Sequence, residues 1–277
     1  MDMIKAALLG VIEGITEWLP ISSTGHMILA ERLLQMDQTP EFMQMFRVVI
    51  QLGAIAAVVV LYWNRLWPVV RHPDGQITLK MPSVRLWMKI AVATLPALVL
   101  GLLLDDWLDA HFYNYVTVAA MLILYGILFI LVERQNIQPR ITKVAQITWM
   151  QALIIGLWQV LAMIPGTSRS GATIVGGLLL GLSRPAVAEF TFFLAVPVMF
   201  GASLLKVVKY LGAGLTLGLP QLGLLLVGCA AAFGVSIVAI RFLMDYVKKH
   251  DFKFFGLYRM ALGAVVLVMA VINGLFL

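Results

Sequence analysis

The chain is poor in charge, carries one cysteine and has no long polar segment. Of its 277 residues only 12% are charged, whereas 61% are hydrophobic, and mean hydropathy is +0.95. Soluble domains hold about twice that share of charge. So few charges cannot shield so much apolar surface from water, which excludes a soluble globule and makes lipid the solvent for much of the exterior. The disorder signature, low hydrophobicity with high net charge, is also missing. Cys229, alone in LLLVGCAAAFG, excludes an intrachain disulfide and is expected to act as a small packing residue. The formal charge is +6, but the Lys and Arg residues form neither a stripe nor a reader motif, so no nucleic-acid partner is expected. A GxxxxGK[ST] phosphate loop is absent. The opening MDMIKAALLGVIEGITEWLP does not read as a secretory signal: Lys5 is its one basic residue, Glu13 and Glu17 interrupt its apolar run, and it is expected to be retained.

What is present are apolar runs. A bilayer core about 30 Å thick needs roughly 20 apolar residues per helix. Six stretches meet this, at about 46–63, 87–104, 115–132, 187–208, 221–243 and 254–276. In the segment between the first two, Pro73-Asp74-Gly75 between VV and ITL predicts a small surface hairpin. Two more apolar regions, 3–35 and 148–185, are broken in the middle by LPISSTGH and IPGTSRSGAT. Their flanks are too short to cross, which predicts two re-entrant helical hairpins with tips buried in protein or lining a wet cavity.

The broken regions resemble each other. A shift of 146 residues superposes Gly10 on Gly156, Ser22 on Ser168, Gly25 on Gly171 and Ile28 on Ile174, while Glu13 meets Gln159. Each is followed by three spans, an odd number, so the second half must enter the membrane upside down. The expected fold is therefore an all-α integral membrane protein: six transmembrane helices plus two re-entrant hairpins in an inverted-topology repeat, about 1–144 and 145–277, forming one membrane domain. Loop charge gives orientation. Segments 64–89, 133–143 and 241–253 are rich in Lys and Arg, whereas 105–114 carries Asp105, Asp106 and Asp109 and no Lys or Arg. The three basic loops read as cytoplasmic, which sends hairpin one in from outside and hairpin two in from the cytoplasm. Lys206 and Lys209, near the outer end of the fourth span, run against that pattern.

Ionisable groups inside a membrane are costly and point to function. Glu13 and Glu17, spaced i,i+4, project from one helix face about 6 Å apart. Such a pair suits a divalent metal, or one acid and one base; alternatively it caps a helix or faces solvent. In Ser22-Ser23-Thr24-Gly25-His26, either Ser23 or His26 could attack phosphorus, and helix amides beyond the tip could bind an anion; a plain N-cap explains the hydroxyls but not the imidazole. In PGTSRSGAT, Arg169 has the forked donors that match phosphate oxygens, with Ser168, Ser170 and Thr173 beside it; alternatively it neutralises Glu13 or Glu17. Arg259, about a turn inside the last span, reads as snorkelling or as a further phosphate contact. Gln51 and Glu189 read equally as packing or function.

GVIEGITEWLPISSTGHM, FRVVIQLGAIAAVVV, PGTSRSGATI and AEFTFFLAVPVMFGA resemble the signature segments of undecaprenyl-diphosphate phosphatases, the bacitracin-resistance family, over essentially the whole chain. The resemblance implies hydrolysis of undecaprenyl diphosphate to the monophosphate and inorganic phosphate at the outer face of the bacterial inner membrane, recycling the lipid carrier for cell-wall synthesis and giving bacitracin resistance. It implies a divalent cation, Mg2+ or Ca2+, on Glu13 and Glu17. The catalytic set it points to is Glu13, Glu17, Ser23, His26 and Arg169, with Ser22, Thr24, Ser168, Ser170, Thr173 and Arg259 on the phosphates. Membrane lipid and a polyprenyl diphosphate are the implied partners, and a homodimer is one option for assembly. A different class, a lipid-phosphate flippase or ion-coupled transporter, would use the same inverted-repeat site to grip and release without bond cleavage.

Overall fold

The computed structural model describes residues 1–73 and 75–272. Six stretches of helix in it are long and apolar enough to cross a membrane: Pro40–Leu61, Met81–Leu104, Tyr115–Arg134, Arg184–Gly212, Leu219–Tyr246 and Lys253–Ile272. The protein is a multi-pass α-helical membrane protein. Each predicted span is found, with shifted ends; positions 273–276 of the sixth lie outside the described residues. The first span is two helices, α3 (Pro40–Val49) and α4 (Gln51–Leu61), joined at Ile50. Its start follows local chemistry, with the Thr39 hydroxyl accepting from the Phe42 amide and Pro40 in the first turn. Helix α6 (Met81–Phe112) runs through the acidic segment expected to be a loop, leaving only Tyr113 and Asn114 as connection. Asn114 then caps α7 (Tyr115–Arg134) by accepting from Thr117 N at 2.8 Å.

Between the first two spans lie a one-turn helix, α5 (Trp63–Leu66), and an antiparallel hairpin of β1 (Val69–Arg71) and β2 (Ile77–Leu79), with Val69 opposite Leu79 and Arg71 opposite Ile77. The hairpin is where the turn residues predicted it, and Gly75 takes a φ of 83°; Asp74 lies outside the described residues. Among the described residues, strand pairing is confined to this hairpin and an isolated parallel bridge between Ile141 and Leu182.

The two broken regions fold as pairs of short helices: α1 (Asp2–Thr16) with α2 (Ser23–Leu34), and α8 (Trp149–Val160) with α9 (Arg169–Leu179). At about 1.5 Å per residue, the longest of them, 15 residues, falls short of a core about 30 Å thick. Each pair returns to the end where it began. Lys5 Nζ, early in α1, donates to Gln35 O beyond α2 at 2.8 Å, and Gly181 O beyond α9 accepts from the amides of Arg140 and Ile141, ahead of α8, at 2.9 and 3.1 Å.

The remaining spans are α10 (Arg184–Gly212), α11 (Leu219–Tyr246) and α12 (Lys253–Ile272). Packing has a matched pattern: α1 lies along α11 as α8 lies along α6, α2 touches α12 as α9 touches α7, and α7 packs on α12. Small residues permit this closeness, because helices in lipid associate through van der Waals contact between backbones. A Cβ on Gly10 would run into the Gly228 carbonyl, and one on Gly156 into the Ala93 carbonyl. The same holds between Gly126 and Gly256 across α7 and α12. Cys229 sits in such a contact, beneath Gly53, with Sγ 3.5 Å from Val49 O.

Polar clasps gather at the two ends of the bundle. At one, Arg65 pairs with Glu189, and Glu133 accepts from Arg184 Nε and Nη2 at 2.9 and 2.6 Å and from the Phe252 amide at 3.0 Å. This end collects the three basic segments. At the other, Arg47 meets Tyr113 and Glu31, and Lys209 pairs with Asp106 at 2.7 Å.

Candidate functional site

The turns between α1 and α2 and between α8 and α9 meet in the interior, and the same local device shapes both. Ser22 and Ser168 have φ of 71° and 70°, a region few non-glycine residues adopt, at a cost of about 1–3 kcal/mol each. Each caps the helix that follows, its hydroxyl accepting from the amide of Gly25 or Gly171. Arg259 of α12 holds the turns together. Fully buried, it donates from Nη1 to Pro20 O at 3.2 Å and from Nη2 to Gly166 O and Thr167 O at 2.9 and 2.8 Å, with its Cζ 5.6 Å from the Tyr125 ring centre. It faces carbonyls of the turns, neither snorkelling nor reaching a cavity, because in α12 it lies level with the tips.

This clamp sets α1 against α9. Arg169 donates to Glu17 Oε1 from Nη2 at 2.9 Å and from Nε at 3.3 Å, and from Nη1 to Thr191 O at 2.8 Å, while its Cζ lies 5.7 Å from the Trp18 ring centre. The other oxygen of Glu17, Oε2, accepts from Ser23 Oγ at 2.9 Å. One carboxylate thus links a hydroxyl and a guanidinium that are 146 residues apart in the chain. Glu13, a turn earlier, is buried, contacts Gln51, and has its Oε1 without a hydrogen-bond partner.

Two adjoining cavities open on this cluster. A smaller one of about 120 Å³ is lined by Glu13, Ser23, Thr24, Arg47, Gln51 and Lys206, together with Met27, Val48 and Tyr113. A larger one, about 310 Å³, has Glu17, Gln159, Ser168 and Arg169 on one side and apolar walls from α6 and α10, such as Leu98, Leu102 and Leu205, on the other. Ser23, Thr24, Gln51 and Lys206 belong to both.

Of the expected residues, the structure therefore brings together Glu13, Glu17, Ser23, Thr24, Ser168 and Arg169. Ser22, His26, Ser170, Thr173 and Arg259 line neither cavity. The buried hydroxyls are held by their surroundings. Ser170 Oγ lies 3.2 Å from Glu17 O, and Thr173 Oγ1 lies 2.9 Å from both Arg169 O and Thr191 Oγ1. His26 is held at both ring nitrogens, Nδ1 at 2.8 Å from Ser22 O and Nε2 at 2.8 Å from Tyr258 OH. A carbonyl only accepts, so Nδ1 carries the proton and Nε2 receives the Tyr258 hydroxyl. Gln51 and Gln159 came forward only with the fold. In the sequence Gln51 reads equally as packing or function, and Gln159, buried with neither amide atom partnered, is marked there only by the repeat, which aligns it with Glu13. Glu189 is paired with Arg65 at the basic end, away from the cavities.

A buried carboxylate, arginine and serine cluster beside an apolar cavity inside a multi-pass bundle defines a membrane protein built to act on an anionic, lipid-tailed molecule. The chain belongs to the family described as bacitracin resistance protein BacA, whose model matches residues 6–265. It is 55% identical to the undecaprenyl-diphosphatase of Lactococcus lactis subsp. cremoris (strain SK11), over 98% of both chains. It is also 55% identical to those of Streptococcus sanguinis (strain SK36), over 99% of this chain and 98% of the relative, and of Desulfitobacterium hafniense (strain DSM 10664 / DCB-2), over 97% and 96%.

Proposed function

We propose that the chain is an undecaprenyl-diphosphate phosphatase, converting undecaprenyl diphosphate to undecaprenyl phosphate and inorganic phosphate and so returning the lipid carrier to cell-wall synthesis. Full-length relatives bearing that name support the reaction over the carrier reading. The observation that carries the mechanism is Ser23 Oγ donating to Glu17 Oε2 at 2.9 Å, with Arg169 on the same carboxylate. The isoprenyl tail lies along the apolar walls of the larger cavity and the diphosphate reaches the shared wall. Ser23 Oγ attacks the terminal phosphorus as Glu17 takes its proton. The bond to the bridging oxygen breaks, and undecaprenyl phosphate leaves. Water then hydrolyses the seryl phosphate, restoring the serine and releasing phosphate. Arg169 has five N–H groups, and two stay free of the Glu17 and Thr191 contacts to meet phosphate oxygens as charge develops. Ser168 and Thr24 lie within reach of the same oxygens.

The residues present fit a divalent cation. Glu13 Oε1 is buried without a partner, and the carboxylates of Glu13 and Glu17 offer hard oxygen donors of the kind that hold Mg2+ or Ca2+ together with substrate phosphates, while the Gln51 amide donates to Glu13. When bound, the cation supplies charge neutralisation for the diphosphate. His26 is not the nucleophile in this reading, since its one lone pair receives the Tyr258 hydroxyl; it holds the Ser22 carbonyl, and Arg259 holds the turn carbonyls.

The same reading makes the two helix pairs re-entrant hairpins of an inverted repeat, about 1–144 and 145–277, in the plasma membrane of a bacterium. The matched packing and the twin caps at Ser22 and Ser168 support the repeat. Arg47 and Tyr113 line the smaller cavity and Lys206 lines both, at the end opposite the basic loops, which supports a site reached from outside. Phosphate release from a polyprenyl diphosphate by the purified chain tests the activity. Radiolabelled terminal phosphate trapped on the protein tests the nucleophile: an acid-stable ester that vanishes in Ser23→Ala is expected. An acid-labile phosphohistidine, or full turnover by Ser23→Ala, overturns the mechanism.

A further inference from the structure

The reaction above makes two products of opposite solvation, one that stays in lipid and one that must reach water. The site has two lobes that differ in the same sense. The larger lobe is walled by apolar side chains of α6 and α10 and suits the tail. The smaller lobe, about 120 Å³, is lined by Arg47 and Lys206 against the single carboxylate of Glu13, and lies across the shared wall of Ser23, Thr24, Gln51 and Lys206. It has no room for a tail. Arg47 comes from α3 and Lys206 from α10, and the Arg47 guanidinium is steadied by Tyr113, by Met43 O at 3.3 Å and by Glu31 at 3.4 Å. Arg47 lines the smaller lobe alone and takes no part in binding or cleaving the diphosphate in the mechanism above, while Lys206, on the shared wall, lies between the diphosphate and Arg47 and breaks the charge pattern that the outer end otherwise follows.

We infer that Arg47 and Lys206 form a second oxyanion subsite, which takes inorganic phosphate from the shared wall after the seryl phosphate is hydrolysed and passes it to the outer water. The inference rests on the phosphatase reading for its role. Arg47 from α3 and Lys206 from α10, both on the lining of this small lobe, hold a phosphate dianion against the repulsion of the Glu13 and Glu31 carboxylates, and the lobe's small size keeps the lipid tail out of it. The ligand chemistry is a phosphate oxyanion; free phosphate, rather than a lipid headgroup, is its source.

The test is product inhibition of the purified full chain in detergent, with farnesyl diphosphate as substrate and inorganic phosphate added. Arg47→Gln and Lys206→Gln are each expected to raise the inhibition constant for phosphate about tenfold, outrunning any change in KM, whereas Lys209→Gln, on the same helix end but outside both lobes, leaves it alone. An unchanged constant in both variants overturns the subsite. So does a KM that rises in step, since the cations would then serve the substrate's phosphates, and so does an equal effect of Lys209→Gln, which would mean a diffuse field. Micelles containing phosphatidic acid provide the headgroup arm: competition by these but not by free phosphate refutes the assignment. Broadening of the 31P line of inorganic phosphate needs no turnover. Broadening that the double variant abolishes, in a chain that releases no phosphate from substrate, would reject the phosphatase reading while leaving the subsite standing.

Discussion

Glu17 accepts from Ser23 on one oxygen and from Arg169 on the other, so its charge aligns the nucleophile and balances the guanidinium in a place with little water. Replacing Arg169 by Lys keeps the charge but loses the planar fork that reaches Glu17 and Thr191 together. Arg169→Lys is expected to lower kcat/KM by about 10²–10³-fold with thermal stability nearly kept, read by steady-state kinetics beside a melting curve. Glu13, with its orphaned buried oxygen, is the group whose behaviour should follow the metal. Chelation should stop phosphate release and added Mg2+ or Ca2+ restore it, and Glu13→Gln should raise the half-saturating metal concentration about tenfold. That shift corresponds to roughly 1.4 kcal/mol of lost binding. An activity indifferent to chelator would refute the cation assignment.

The short helices owe their placement to two kinds of contact. One is backbone against backbone, where Gly10 and Gly156 let α1 and α8 lie on α11 and α6. Gly156→Leu would drive a side chain into the Ala93 carbonyl, and overpacking of this kind is destabilising by about 1–3 kcal/mol or more. A clear drop in melting temperature is expected, whereas Gly201→Ala, mid-helix and in open space, should hold or slightly raise it, through a stabilisation of up to about 1 kcal/mol. The other contact is the Arg259 clamp. Arg259→Met would leave the carbonyls of Pro20, Gly166 and Thr167 without their donor, at about 1–3 kcal/mol for each group left unsatisfied. Activity should then fall together with stability, although Ser23, Glu17 and Arg169 are untouched; a stable but inactive Arg259→Met would instead indicate direct contact with substrate.

At the scale of the molecule, the clasps sort by end. Arg65–Glu189 and Arg184–Glu133 close the end that gathers the basic loops, and Lys209–Asp106 lies at the other. In a Cys229→Ser background, Lys209→Cys should be labelled by an impermeant maleimide in intact cells, and Lys248→Cys only after lysis. Labelling of both from outside would invert or break the proposed orientation. Much of the fold was legible in advance for a plain physical reason. Lipid tolerates neither long polar runs nor unsatisfied backbone, so span lengths, broken regions and loop charge are written linearly. The site was legible only in part. Glu13, Glu17, Ser23 and Arg169 stood out as polar groups in apolar company, but Gln51 and Gln159, neutral amides, gave too faint a signal. Ser22, Ser170, Thr173 and His26 stood out as strongly as Ser23 did, yet nearby backbone groups and hydroxyls take up their polar atoms.

Sequence by itself determined the solvent, the spans, the hairpin turn at Gly75, the internal likeness of the halves and the kinds of polar group available to the interior. Tertiary structure decided which of those groups face a cavity and which face one another. In a dry interior a donor left alone costs several kcal/mol, which favours pairing with an acceptor within reach, and nearness between Glu17 and Arg169, or between Arg259 and Gly166, exists only once the helices have packed.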